Sequence, residues 1–303
     1  KWSEENGDIF PILDWPTGST SYDSNTALTN SLASAKYYSE NRKHKGEQIL
    51  NVLQGESKSE VEKWFKELSR YPFDGWGVGG ITDKNPNAKV APEVKFCLAL
   101  LTLYSSGELE KEHCKRLHLF GVSSFTYMIY FQFIQKILNK QCIDVQLSYD
   151  TTSWNQQTYR GNYALGRSTK YTGASCNFTN QKEYKANKDF RFPCPYDCPI
   201  CVGLGDVNNL LMEFKNGERR FQTFSFLVSF HNLYVTLKVE KEIRNILSAD
   251  NFSVYEACFP EKITNNLRHL QSIFDKEKRI DKTDAQRRLL VALFGEENVL
   301  FPV

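Results

Sequence analysis

No run of apolar residues in this chain approaches the roughly 20 needed to cross a bilayer, which argues against a membrane-spanning helix. The first residue is Lys1, and no charged-then-apolar leader follows it, so a cytoplasmic protein that continues upstream of Lys1 is expected. Cysteine is sparse, eight in 303 residues, too few for a disulfide-stapled scaffold. One-sided charge is lacking as well. A net charge of +2 gives no general attraction for nucleic acid, and the short basic clusters Arg42-Lys43-His44-Lys45 and Arg219-Arg220 read first as solvated surface and second as phosphate contacts. No internal repeat or low-complexity tract is present, which excludes a solenoid or a linker-dominated chain.

What is present is material for a core. Hydrophobic residues make up 41% and charged residues 24%, and the 14% aromatic content comes largely from 21 Phe and 15 Tyr. Short apolar runs alternate with amphipathic stretches. DIFPILDW (8–15), ILNVLQG (49–55), FDGWGVGGI (73–81), LHLFGV (117–122) and IDVQLSYDTTSW (143–154) read as strands. Residues 24–44, 57–70, 91–105 and 124–138 read as helices, with Val61, Trp64, Phe65 and Leu68 at helical spacing. Strand and helix in alternation imply a parallel α/β fold.

Each strand candidate ends in polar residues or glycine, where a parallel barrel collects its function. The expected fold is therefore a TIM-type (β/α)8 barrel lacking its first strands, since five are too few to close one. This part is expected over 1–155. A zinc-binding subdomain with a closing helix at 231–247 is expected over 156–260, and a charged helical tail with an amphipathic segment (285–295) over 261–303.

Three of the eight cysteines crowd into eight residues, in the order Cys194-x3-Cys198-x2-Cys201, and His231 follows. A C-x2-C pair brings two thiolates together around a tight turn, and a third cysteine and a histidine at a helix start complete a closed Cys3His set. The spacing predicts a structural Zn2+. The scattered Cys97, Cys114, Cys142, Cys176 and Cys258 read as buried or free thiols.

CPIC (198–201) followed by His231-Asn232-Leu233 resembles the zinc subdomain of the queuine/archaeosine tRNA-guanine transglycosylases. That family opens its ligand set with C-x-C; here Tyr196 stands at the first position and Cys194 two residues earlier, with Cys176 the alternative first ligand. Further motifs follow in order: ILD (12–14), VLQG (52–55) beside the family's VQGG, FDGWGVGGI beside YDGYAIGGL, LFGV (119–122) beside LMGVG, and YDTTSW (149–154) beside FDSASY.

The resemblance implies a base-exchange enzyme, a pentosyltransferase that replaces guanine by a 7-deazaguanine in tRNA. It implies Asp150 as nucleophile, and Asp14, Gln54, Gly79 and Gly80 as the base pocket. On the residues alone Asp150 reads as a turn or N-cap aspartate before Thr151-Thr152-Ser153. Likewise Asp14 reads as a loop carboxylate and Gln54 as a turn residue, while the glycines divide evenly between close backbone approach to a base and a bulge or tight helix packing. Trp76 divides evenly between a core tryptophan and a stacking platform for the base.

The chain departs from the family in GGITDKN (79–85), which replaces GGLSVGE, and in the absence of a PTR segment after Asp150. Those departures keep DNA open as the acceptor beside tRNA. The implied partners are nucleic acid, the free base and, through the zinc region, a second copy of the chain. Two other classes compete: a non-catalytic partner subunit and a zinc-ribbon nucleic-acid-binding module.

Overall fold

The computed structural model describes residues 8–12, 23–42, 46–55, 57–79, 92–122, 124–160, 162–168, 171, 173–177, 194, 196–204, 221–274 and 288. The chain divides into two compact units, the first made of residues 1–122, 133–150 and 265–303, the second of 123–132 and 151–264.

In the first unit, β1 (Ile9–Pro11), β2 (Gln48–Leu53), β3 (Gly75–Val78), β4 (Arg116–Leu119) and β5 (Gln146–Tyr149) form one all-parallel sheet in sequential order. The crossovers carry α1 (Ser24–Asn41), α2 (Lys58–Leu68), α3 (Pro92–Ser105) and α4 (Phe125–Lys140), of which residues 133–140 belong to this unit and 125–132 to the second. Helix α1 packs on α2 and α2 on α3, as neighbours do when the strand order never reverses.

This corrects the expected (β/α)8 barrel. Among the described residues β1 pairs only with β2 and β5 only with β4, so the sheet is open at both edges and does not close on itself. After Tyr149 the chain leaves the parallel alternation.

Local chemistry sets the helix starts. The Asp23 carboxylate accepts from the N–H groups of Asn25 and Thr26 at 2.9 Å and caps α1. Ser57 Oγ accepts from Glu60 N at 3.3 Å at the head of α2, in the S-x-x-E pattern that satisfies orphan donors. Val61, Trp64 and Leu68 then place one face of α2 in the core. Burial of each such side chain stabilises the fold by roughly 1.5–3 kcal/mol.

The two faces of the sheet differ in character. Asn51 and Trp76, paired across β2 and β3, point to the helices. Asn51 Nδ2 donates to the carbonyls of Leu68 (3.3 Å) and Tyr71 (2.9 Å) at the end of α2. Trp76 is buried against Phe65 and donates from Nε1 to Glu108 at 3.1 Å, so it is a core residue and not a platform for a ligand. The opposite face is set by the other parity and carries Gln48, Gly75, Gly77, Arg116, His118, Gln146 and Ser148. Arg116 spans its first layer, donating from Nε to Gln48 at 2.6 Å and from its guanidinium to Gln146. Near the end of the described chain Phe274 returns to this unit, edge-on to Tyr104 at 4.8 Å.

The second unit holds α5 (Ser153–Tyr159), an antiparallel pair β6 (Asn162–Arg167) and β7 (Gly173–Asn177), α6 (Pro199–Leu204), α7 (Phe221–Ser248) and α8 (Phe252–Cys258). Both α5 and β6 pack on α7, and Tyr255 Oη ties α8 to the Leu247 carbonyl at 2.9 Å. Helix α7 starts ten residues earlier than the sequence pattern suggests, so His231 lies inside the helix and not at its start. Helix α9 (Glu261–Ile273) follows α8. Among the described residues no helix is long and apolar enough to cross a membrane.

Candidate metal centre and sheet-edge site

The donor atoms of Cys194, Cys198, Cys201 and His231 all lie within 4.8 Å of one another, forming a Cys3His set that can hold a metal ion. His231 Nδ1 stands 3.1 Å from Cys198 Sγ, 3.3 Å from Cys201 Sγ and 3.9 Å from Cys194 Sγ. A tetrahedral ion with Zn–S of about 2.3 Å and Zn–N of about 2.05 Å separates N and S by about 3.6 Å, which these distances bracket.

The surroundings of the cluster fix each ligand. His231 Nε2 lies 2.8 Å from the Ala164 carbonyl. A carbonyl only accepts, so Nε2 carries the proton and the Nδ1 lone pair faces the sulfurs. Tyr163 stacks on the imidazole at 3.9 Å between centroids, and its hydroxyl lies 3.0 Å from Cys201 Sγ. Backbone N–H groups of Cys198 and Cys201 donate to the sulfurs of Cys194 (3.1 Å) and Cys198 (3.3 Å). Burial keeps the His231 ring neutral and pushes the Cys198 and Cys201 thiols above their ordinary values. A divalent cation reverses that preference by compensating the crowded negative charge.

Asn232, the next residue of α7, is buried and reaches four partners. Its Oδ1 accepts from Ala164 N at 2.8 Å, and its Nδ2 lies 3.2 Å from the Trp154 carbonyl, 3.1 Å from Thr158 Oγ1 and 3.1 Å from the Asn162 carbonyl. His231 and Asn232 thus grip both backbone polar groups of Ala164. The sequence pattern contains Asn232 only as part of HNL and gives it no role.

The second cluster lies at the C-terminal edge of the parallel sheet. Asp150 follows β5 directly, its N–H directed at the Leu119 carbonyl at 3.4 Å. Its Oδ1 accepts from Gly121 N at 2.9 Å and stands 3.4 Å from His118 Nε2. Gly121 adopts φ 80°, a left-handed conformation suited to glycine, and so turns its N–H toward Asp150. The Asp150 side chain is 55% exposed, whereas His118 is 21% exposed and its Nδ1 lies 3.0 Å from Ser148 Oγ. Burial holds the His118 imidazole below the ordinary histidine range, against the opposing pull of the Asp150 carboxylate. Phe120 stands edge-on to His118 at 4.6 Å, and its ring edge lies over Gly77, 2.7 Å from where a Cβ would sit.

Gln54 is buried just past β2, with its side-chain amide against Gly79 at 3.5 Å from the position of a Cβ there. The Gly79 N–H donates to the Leu53 carbonyl at 3.2 Å, so this donor is used within the sheet. Asp14 and Gly80 lie outside the described residues. Of the basic clusters, Arg42 is tied to Asp74 at 3.0 Å and to the Glu47 carbonyl, a structural role; Arg219 and Arg220 lie outside the described residues.

His118 is the residue of this edge that the sequence pattern passes over. The period-two alternation of Arg116-Leu117-His118-Leu119 carried the signal, since it places a histidine one residue before the strand end, on the same face as Arg116.

No protein-family model matches the chain, and no curated protein matches it.

Proposed function

We propose that the chain is a base-exchange transglycosylase that replaces guanine by a 7-deazaguanine in tRNA, with Asp150 as nucleophile and a structural zinc on Cys194, Cys198, Cys201 and His231. The observation that carries the reading is the company Asp150 keeps. It stands exposed at a strand end, held by Gly121 and His118, on the same sheet edge as Gln54 and Gly79.

Gln54 and Asp150 follow β2 and β5, three strand spacings apart, about 14 Å along the sheet. The Gln54 amide lies against Gly79, and the Asp150 carboxylate against Gly121 and His118. The Gln54 amide both donates and accepts, as the edge of a guanine requires. Asp14 and Gly80 complete the pocket in this reading.

The chemistry is a double displacement. A lone pair of the Asp150 carboxylate forms a bond to the ribose C1′ while the C1′–N9 bond breaks, its electron pair leaving with guanine. The incoming base then attacks C1′, and the carboxylate departs with the ester electron pair. The departing base takes up one proton and the incoming base releases one, so the cycle is neutral with solvent as carrier. Two inversions retain the anomeric configuration. The zinc takes no part in these steps; when bound, it would stabilise the three thiolates and hold α6 to α7.

The test is covalent trapping. The protein is incubated with tRNA or, separately, with DNA, quenched without incoming base and digested. A ribosyl adduct on the peptide carrying Asp150, absent from Asp150→Asn, is expected with tRNA. An adduct with DNA alone moves the acceptor and keeps the chemistry. No adduct with either nucleic acid overturns the reading.

A further inference from the structure

We propose that His118, itself held by Ser148, is the positioning residue of Asp150: it anchors one carboxylate oxygen and leaves the other to react. The inference rests on the base-exchange reading for its chemical meaning, and on the geometry alone for the pairing.

The chain of contacts dictates the proton positions. The carboxylate accepts and never donates, so the His118 nitrogen facing Asp150 Oδ1 at 3.4 Å, Nε2, carries the hydrogen. A neutral imidazole has one N–H, so Nδ1 is the acceptor and the Ser148 hydroxyl, 3.0 Å away, donates to it. Burial favours that neutral ring. All three residues come from two paired strands and their ends: His118 and Ser148 are direct partners across β4 and β5, and Asp150 is the next residue of the same parity.

Two donors therefore converge on Oδ1, the Gly121 N–H at 2.9 Å and His118 Nε2. The consequence is an asymmetric carboxylate. Oδ1 is held in place, and Oδ2 is presented for attack on C1′. After attack Oδ1 is the ester carbonyl. When the second base displaces the ester, the electron pair of the C1′–Oδ2 bond returns to the carboxylate, and negative charge reappears on Oδ1 where both donors are already in place. Preorganised donors at a site of developing charge lower the barrier of that step. A neutral histidine suits this role better than a cation, which would hold the free carboxylate too tightly for the first attack.

The test has two arms. In the first, 15N-histidine-labelled protein is observed at a pH where His118 is neutral, with His118→Gln assigning the resonances. The expected spectrum has the proton on Nε2, and Asp150→Asn moves that resonance by removing the carboxylate charge. A proton on Nδ1, or no response to Asp150→Asn, overturns the proposal.

In the second arm, exchange of labelled guanine is measured on nucleic acid at saturating and limiting base. His118→Ala is expected to lower kcat by about 10- to 100-fold, the scale of one charge-assisted hydrogen bond, with little change in KM for the base. His118→Gln, whose amide can still donate to Oδ1, is expected to recover part of the loss. An unchanged kcat in His118→Ala, with active wild-type protein, also overturns it. Exchange absent from wild-type protein counts against the base-exchange reading, while the first arm still decides the pairing.

Discussion

Replacing Asn232 by alanine should loosen the second unit and weaken its metal together. The side chain accepts one hydrogen bond from Ala164 N and shares the two N–H of Nδ2 among the Trp154 carbonyl, Thr158 Oγ1 and the Asn162 carbonyl, three hydrogen bonds' worth in all. Each such hydrogen bond contributes about 0.5–1.5 kcal/mol net, so the loss of three amounts to roughly 1.5–4.5 kcal/mol. That is a large part of the stability of an ordinary domain, about 5–15 kcal/mol.

The same loss frees Ala164, whose carbonyl orients the His231 ring, and removal of such an outer partner typically lowers metal affinity by about 10- to 100-fold. Asn232→Asp sharpens the test. It keeps an acceptor for Ala164 N but sets a carboxylate oxygen against two carbonyls, so it should be no better than alanine. Denaturant unfolding followed by hydrogen exchange over residues 154–164 reads the first effect, and competition for zinc with a coloured chelator reads the second. A variant with wild-type unfolding and wild-type zinc affinity refutes the reasoning.

Three further outcomes follow from the same contacts. In the folded protein an alkylating reagent should label the exposed Cys142 and Cys258 and spare Cys97 and Cys114, the latter a thiol pushed up to about 12 by burial and Glu108. Stripping the metal should add Cys194, Cys198 and Cys201 to the labelled set, and mass spectrometry of the peptides checks both patterns.

His118 is held below its unfolded value of about 6.5, so the unfolded chain takes up its proton first as the pH falls. Its contribution to stability is complete above about pH 6.5 and is lost below it; His118→Gln should flatten the midpoint-against-pH curve there. Gly75→Ala should fail to reach the native fold, because the added Cβ would lie 2.1 Å from the Arg116 carbonyl oxygen; circular dichroism and gel filtration of the variant show the outcome.

Much of this was legible in the residues, and the exceptions have physical causes. The five parallel strands fall on the five runs read as strands, β2 and β4 each starting one residue earlier, because a strand covered by helices is rich in buried apolar residues, as Ile49, Leu50, Val52 and Leu53 are in β2. Barrel closure was not legible. Alternation predicts parallel pairing of neighbours, but whether the outer strands meet depends on pairing between distant segments, which no local pattern encodes.

The pair β6–β7 was missed because Asn162 to Arg167 is polar and glycine-broken, with a register shift between Ala164 and Gly166, and resembles a loop. Helix α7 was read ten residues short because the apolar Phe221 to Phe230 carries no clear one-sided period. The metal cluster was legible since thiol spacing alone brings the three cysteines together. Asn232 and His118 were not, because a buried asparagine and a strand histidine acquire meaning only from what faces them.

The central claim is that Asp150 carries out base exchange, and incorporation of labelled guanine into nucleic acid by the wild-type protein and by Asp150→Asn tests it most directly. Time-dependent incorporation into tRNA by the wild type, abolished in Asp150→Asn while zinc content and folding are unchanged, is the predicted result. Incorporation into neither tRNA nor DNA, or equal incorporation by the variant, would contradict it.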